Sequence, residues 1–227
     1  TPATTQTTPV TAIPGTLKWK YETGDDIFSS PAVVNNVVYI GSDDNSVYAL
    51  DATSGNLKWR YETGDEIHSS PTVKNSLVYF GSYDNSVYAL DAGSGNLKWR
   101  YVTDSFVGSS PAVANSAVYV GSGDHNLYAL DATSGKLQWK YETDSVVFSS
   151  PAVENGVVYV GSSDNSVYAL DAGSGRLIWD FKTENIVESS PTIVDGMVYV
   201  GCGDNNLYAL DAGSGKLKWK YETGGIV

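Results

Sequence analysis

A 40-residue period decides what this chain can fold into. From Tyr21 to Lys220 it consists of five copies of one unit, residues 21–60, 61–100, 101–140, 141–180 and 181–220, without insertion or deletion. Copies one and two are identical at 31 of 40 positions, and 17 columns are identical in all five. Identity at a fixed period marks repeat architectures, in which each unit buries its apolar faces only against its neighbours. Each copy holds four runs of strong β-formers separated by Gly, Asn, Asp and Ser. In the first copy these runs predict strand A near Ile27 to Val33, strand B over Asn36 to Gly41, strand C over Ser46 to Asp51 and strand D over Leu57 to Thr63. No sustained 3.6-residue period is present, which argues against a helical solenoid.

Four antiparallel strands in about 40 residues make one blade of a propeller. The expected fold is therefore all-β: a β-propeller of five 40-residue four-stranded antiparallel blades, with one extra D-type strand at the N-terminus. That strand, Leu17 to Thr23, reads Leu-Lys-Trp-Lys-Tyr-Glu-Thr and recurs unchanged at Leu217 to Thr223. Five A, B and C strands thus face six D strands. Three arrangements satisfy the count: a monomeric five-bladed ring with one D copy displaced, an oligomer exchanging the redundant strand between chains, or an excised or engineered piece of a longer array. Residues 17–227 are expected to form a single propeller domain. Residues 1–16, with seven Thr and three Pro, are expected to be a disordered leader or stalk.

The composition narrows the functional classes. Hydrophobic residues make up 41 % of the 227, enough to fill a core. A net charge of −12 argues against a nucleic-acid partner, since phosphate binding requires clustered Lys and Arg. One cysteine, Cys202, excludes an internal disulfide framework and a Cys-based zinc cluster. No apolar run approaches the roughly 20 residues of a transmembrane helix. The Thr/Pro leader and the acidic, cysteine-poor composition point to an extracytoplasmic or cell-surface location.

The period alone also suits a WD-repeat propeller, but the Gly-His start and regular Trp-Asp end are missing. What recurs is Ala49-Leu-Asp51-Ala-Thr-Ser-Gly55-Asn-Leu-Lys-Trp59, repeated with small changes at Ala89 to Trp99, Ala129 to Trp139, Ala169 to Trp179 and Ala209 to Trp219. This resembles the tryptophan-docking motif, A-x-D-x-x-T-G-x-x-x-W, of the pyrroloquinoline-quinone (PQQ)-like propeller repeats, with Ser54 and its equivalents replacing the usual Thr. The resemblance implies that the Trp of one blade docks on the Gly turn of its neighbour. The structural residues so identified are Asp51, Gly55 and Trp59; Asp91, Gly95 and Trp99; Asp131, Gly135 and Trp139; Asp171, Gly175 and Trp179; and Asp211, Gly215 and Trp219. Physically, an indole can lie on a peptide plane only where no Cβ intrudes, hence Gly. Asp51 can accept backbone N–H groups across the turn, and Gly55 suits a left-handed residue in a bulged hairpin. Tyr39 and Tyr48 are expected to pack between blades.

The same resemblance raises, and weakens, an enzymatic reading. PQQ-dependent dehydrogenases of this family bind quinone and calcium over the channel, many with two adjacent cysteines. This chain has one Cys, no insertions and near-identical units, so no unique carboxylate or amide cluster for a metal is expected. His68 and His125 fall in different columns and form no catalytic pair. No enzyme, cofactor or metal site is therefore expected, and a fragment of a dehydrogenase is the least favoured reading. The family's non-catalytic branch, propellers that dock proteins, is the favoured class. A purely structural, amplified or engineered repeat with no ligand is the alternative.

Variation between copies points to a candidate binding rim. The D–A connection varies at Asp26 and Phe28, Glu66 and His68, Phe106, Phe148 and Glu188, and the B–C turn at Asp43 and Tyr83. In an antiparallel blade these two connections emerge on one face, where an aromatic and acidic mix would converge. Asp44 and its equivalents Asp84, Asp124, Asp164 and Asp204 recur in the B–C turn and are expected to be turn-stabilising rather than cation-binding.

Overall fold

The computed structural model describes residues 15–225 and 227. The Thr/Pro leader, residues 1–16, lies almost wholly outside the described residues. Five separate four-stranded sheets follow one another along the chain, each with its strands in sequence order. Blade 1 comprises β1 (Ala32–Val34), β2 (Val37–Ser42), β3 (Ser46–Asp51) and β4 (Leu57–Glu62). Blade 2 is β5 (Thr72–Lys74), β6 (Leu77–Ser82), β7 (Ser86–Asp91) and β8 (Leu97–Val102). Blade 3 is β9 (Ala112–Ala114), β10 (Ala117–Gly121), β11 (Asn126–Asp131) and β12 (Leu137–Glu142). Blade 4 is β13 (Ala152–Glu154), β14 (Val157–Ser162), β15 (Ser166–Asp171) and β16 (Leu177–Lys182). Blade 5 is β17 (Thr192–Val194), β18 (Met197–Gly201), β19 (Asn206–Asp211) and β20 (Leu217–Glu222). The β-propeller of five four-stranded antiparallel blades is thus the observed architecture.

Strand A is shorter than the sequence suggests: β1 begins at Ala32, not near Ile27. Pro31 has no N–H for a ladder, and the preceding Ser-Ser bonds in other directions. The N–H of Ser30 donates to the Ser70 hydroxyl at 2.8 Å. Ser70 repeats this to Ser110 at 2.9 Å, Ser110 to Ser150 at 3.0 Å and Ser150 to Ser190 at 3.1 Å. One invariant serine column therefore links each blade to the next through a line of hydrogen bonds. The serine before it, Ser29, instead bonds within its own blade, donating to the Gly41 carbonyl at 2.8 Å.

The core lies between blades. Tyr79, Val87, Trp99 and Val107 pack on Val118, Val120, Tyr128 and Leu130 of the next blade, all nearly or fully buried. A second glycine column permits this close approach. A Cβ on Gly81 would stand 2.4 Å from Val107 Cγ1, and Gly41 faces Ile67 at the same distance. The end of the chain imitates the pattern, with Val227 against Gly201.

The docking motif is formed as the resemblance implies. Gly135 adopts φ +69 and Trp99 lies over it. The Trp99 indole N–H donates to the Ala132 carbonyl at 3.0 Å. Asp131 Oδ1 accepts the N–H of Ser134 at 2.8 Å, closing the turn. A register shift between Ala129 and Leu130 marks the expected bulge. Tyr79 reaches across the same junction, its hydroxyl donating to the Ala132 carbonyl at 3.1 Å.

The docking series is linear. It runs Trp19 on Gly55, Trp59 on Gly95, Trp99 on Gly135, Trp139 on Gly175 and Trp179 on Gly215. Leu17 to Thr23 supplies the first tryptophan and forms no ladder strand. The N-terminal D copy thus occupies the place of the last strand of a blade preceding blade 1. Trp59, Trp99, Trp139 and Trp179 are 7–8 % exposed, whereas Trp219 is 44 % exposed.

Candidate functional site

The D–A connections and B–C turns emerge together, as the strand order requires. Backbone bonds tie them: the N–H of Asp43 donates to Asp26 O at 2.9 Å, Tyr83 to Glu66 O at 2.8 Å and Gly123 to Phe106 O at 2.9 Å. The recurring aspartates reinforce this link. Asp124 accepts the Tyr128 hydroxyl at 2.7 Å and the N–H of Asp104 at 2.9 Å. Burial raises the Asp124 pKa, but bonds from Tyr128, Asn126 and Asp104 outweigh it and leave the carboxyl below its ordinary range. Burial and the Asp44 carboxylate push the partner Tyr48 phenol up to about 12. Each of the five aspartates accepts an N–H from the D–A connection and the hydroxyl of the tyrosine four residues on, and Asp124 and Asp204 also accept an N–H within their own turn. His125 is also accounted for by backbone geometry: at φ 71 it fills the left-handed turn position taken elsewhere by Asn45, Asn85, Asn165 and Asn205.

On this scaffold the variable positions form one continuous feature. Phe28 stacks toward His68 with ring centroids 5.0 Å apart, and His68 toward Tyr83 at 4.4 Å. Tyr83 continues to Phe106 at 5.0 Å, and Phe106 to Phe148 at 5.2 Å. Five rings from four blades thus make a ladder along the rim. Glycines leave room for it, since a Cβ on Gly123 would lie 2.6 Å from Phe106. Phe28, at one end, is 65 % exposed, and the other four rings are half-buried.

The acidic members divide. Asp43 and Glu66 converge on His68, with Asp43 Oδ1 and Glu66 Oε2 each 3.2 Å from its Nε2. Asp26 takes part through its backbone carbonyl, its side chain exposed. Glu188 stands apart on a later blade, 3.4 Å from the Ser163 hydroxyl. The convergence of Asp43, Glu66 and His68 corrects the expectation that repeat symmetry leaves no unique cluster. Among the described residues, the junction of blades 1 and 2 is where these three variable columns combine as Asp, Glu and His. The signal was in the sequence, but it lay in columns 23 and more residues apart in the chain. On the opposite face a groove of about 550 Å³ lies between blades 1 and 2, lined by Val34, Tyr39, Val73, Lys74 and Asp91.

The sequence matches the family described as outer membrane protein assembly factor BamB over residues 8–106 and 104–225. No curated protein matches it significantly. Among solved structures it is similar to BamB from Moraxella catarrhalis, with TM-score 0.79 and 21 % identity over 90 % of this chain and 67 % of that one. The computationally designed Ika8 protein has TM-score 0.79 and 19 % identity over 87 % of this chain and 62 % of its own. Quinohemoprotein alcohol dehydrogenase from Comamonas testosteroni has TM-score 0.77 and 17 % identity over 87 % and 43 %. The chain therefore spans about two thirds or less of each of these proteins. At these identities the likeness concerns the fold; the family match over nearly the whole sequence goes further, and the chain belongs to the BamB-type family of PQQ-like repeat propellers.

Proposed function

We propose that this propeller is a non-catalytic protein-docking module acting outside the cytoplasm, and that residues 17–227 work as one unit. The observation that carries the reading is the ring ladder from Phe28 to Phe148. Aromatic rings held half-open on a rigid frame lose little side-chain freedom when a partner covers them, and so serve as anchors. The flanking Asp26, Asp43, Glu66 and Glu188 suit a partner segment with apolar and basic side chains. The family description, an outer-membrane assembly factor, supports both the docking role and the location.

Site-specific photo-crosslinking tests this. A cross-linker at position 106 is expected to capture a defined partner, and Phe28→Ala with Tyr83→Ala should abolish capture. Phe28→Ala should leave stability within about 0.5 kcal/mol, as for a surface change. Equal capture from position 74, on the opposite face, would remove the rim from consideration.

A further inference from the structure

The cluster at the junction of blades 1 and 2 has an unresolved hydrogen-bond balance. His68 Nε2 and Asp43 Oδ1 are both shielded from solvent, and neither makes a hydrogen bond. They lie 3.2 Å apart, close enough to pair but not aligned to do so. Glu66 Oε2 stands at the same distance from the nitrogen. A single imidazole N–H can point at only one of these oxygens, so a proton cannot satisfy the whole group. Among the described residues no Lys or Arg pairs with Asp43 or Glu66.

A metal ion resolves this balance. All three donor atoms lie within 4.8 Å of one another. At metal–ligand bonds of 2.0–2.2 Å, tetrahedral ligands are separated by about 3.3–3.5 Å. The two nitrogen–oxygen separations of 3.2 Å lie just short of that range, so the donors need part by only about 0.1–0.3 Å to take an ion. From this geometry we propose that Asp43, Glu66 and His68 form a binding site for one divalent transition-metal ion of the zinc class. An imidazole beside two carboxylates favours such an ion over calcium or magnesium, which take all-oxygen shells. Three protein ligands leave a fourth coordination position.

The surroundings are built to hold the ligands still. Phe28 and Tyr83 pack on the His68 ring at 5.0 and 4.4 Å. Asp43 and Glu66 are anchored through backbone bonds to Asp26 and Tyr83 at 2.9 and 2.8 Å. Among the described residues no other junction has the set. Where blade 2 presents His68, blades 1 and 4 present Phe28 and Phe148, and where blade 1 presents Asp43, blade 4 presents Ser163.

Those equivalents supply variants already compatible with the fold. The experiment is calorimetric titration of the metal-free protein with zinc chloride, on the parent chain, His68→Phe and Asp43→Ser. Circular dichroism of each variant verifies that it is folded. The expected result is one zinc per parent chain, at least tenfold weaker binding in each variant, and a rise in melting temperature with zinc in the parent alone. Absence of saturable binding in the parent overturns the proposal. So does zinc binding by His68→Phe with the parent's affinity and stoichiometry.

Discussion

Adding one methyl group to Gly135 tests the docking geometry directly. The residue sits at φ +69, and an alanine there would place its Cβ 2.6 Å from Trp99 Cδ2 and 2.7 Å from Cε3. Carbon atoms prefer about 3.5–4.0 Å, so the ring must retreat by about 1 Å. It cannot do so freely, because its N–H is bonded to the Ala132 carbonyl at 3.0 Å in the same turn. Overpacking of this kind costs about 1–3 kcal/mol, and loosening the indole bond adds about 0.5–1.5 kcal/mol. The left-handed backbone adds about 1–2 kcal/mol for any residue with a Cβ. Gly196 isolates that last contribution, since it has φ +74 and nothing within 4 Å of its Cβ position. Gly135→Ala should therefore destabilise by about 2–4 kcal/mol more than Gly196→Ala, read from urea unfolding midpoints at unchanged m. In a Trp99→Ala background the new methyl meets no ring, and the two glycine substitutions should then cost the same. Equal losses in the parent background would refute the idea that the turn is shaped by the indole above it.

The tryptophans themselves make a graded series. Trp139 is 8 % exposed and bonded to Ala172 O at 3.0 Å, so Trp139→Ala should cost about 3–5 kcal/mol by urea denaturation. Trp219 is 44 % exposed and lies over no turn glycine among the described residues, so Trp219→Ala should cost no more than about half as much; equal costs would show that docking on the turn contributes nothing. Alkali gives a second handle. Burial, then the Asp44 carboxylate, raises the Tyr48 phenol from 10.0 to about 12, and Tyr88, Tyr128, Tyr168 and Tyr208 are raised for the same reasons. A group raised in the folded state contributes stability that is complete below its unfolded pKa and is lost as pH passes through the folded one. Melting temperature should hold up to about pH 10 and fall between about pH 10 and 12, while near-ultraviolet absorbance shows delayed tyrosinate formation. Ordinary titration of all the tyrosines in the still-folded protein would contradict the Tyr–Asp pairing.

What the sequence makes legible here follows from how the repeat distributes its constraints. Positions that do the same job five times over, such as Asp131, Gly135 and Trp139, stand out because drift at any copy opens one blade junction. The blade order, the hairpins and the bulge are readable for the same reason. The invariant Ser70 and Gly81 columns were equally visible, but their partners were not, since a serine 40 residues ahead and a valine in the next blade are adjacent only after the sheets are stacked. Strand A starts later than its composition suggests because the Ser30 N–H is bonded to the Ser70 hydroxyl of the next blade and Pro31 has no N–H to give a ladder.

The rim obeys the opposite logic. Phe28, His68, Tyr83, Phe106 and Phe148 were marked only as departures from the repeat, and a departure carries no statement of what it touches. Their convergence comes from three columns, two in the D–A connection and one in the B–C turn, that the antiparallel blade brings to the same edge. Rings from blades 1 to 4 then meet at centroid separations of 4.4–5.2 Å, so chemistry varied independently at single positions becomes a continuous surface. A chemically unique site can arise in the same way inside a symmetric scaffold. It needs only that Asp43 on one turn and Glu66 and His68 on the next connection depart at the same junction. The framework residues hold that junction rigid whichever side chains occupy it, which separates the residues that make the propeller stable from those that make this propeller specific.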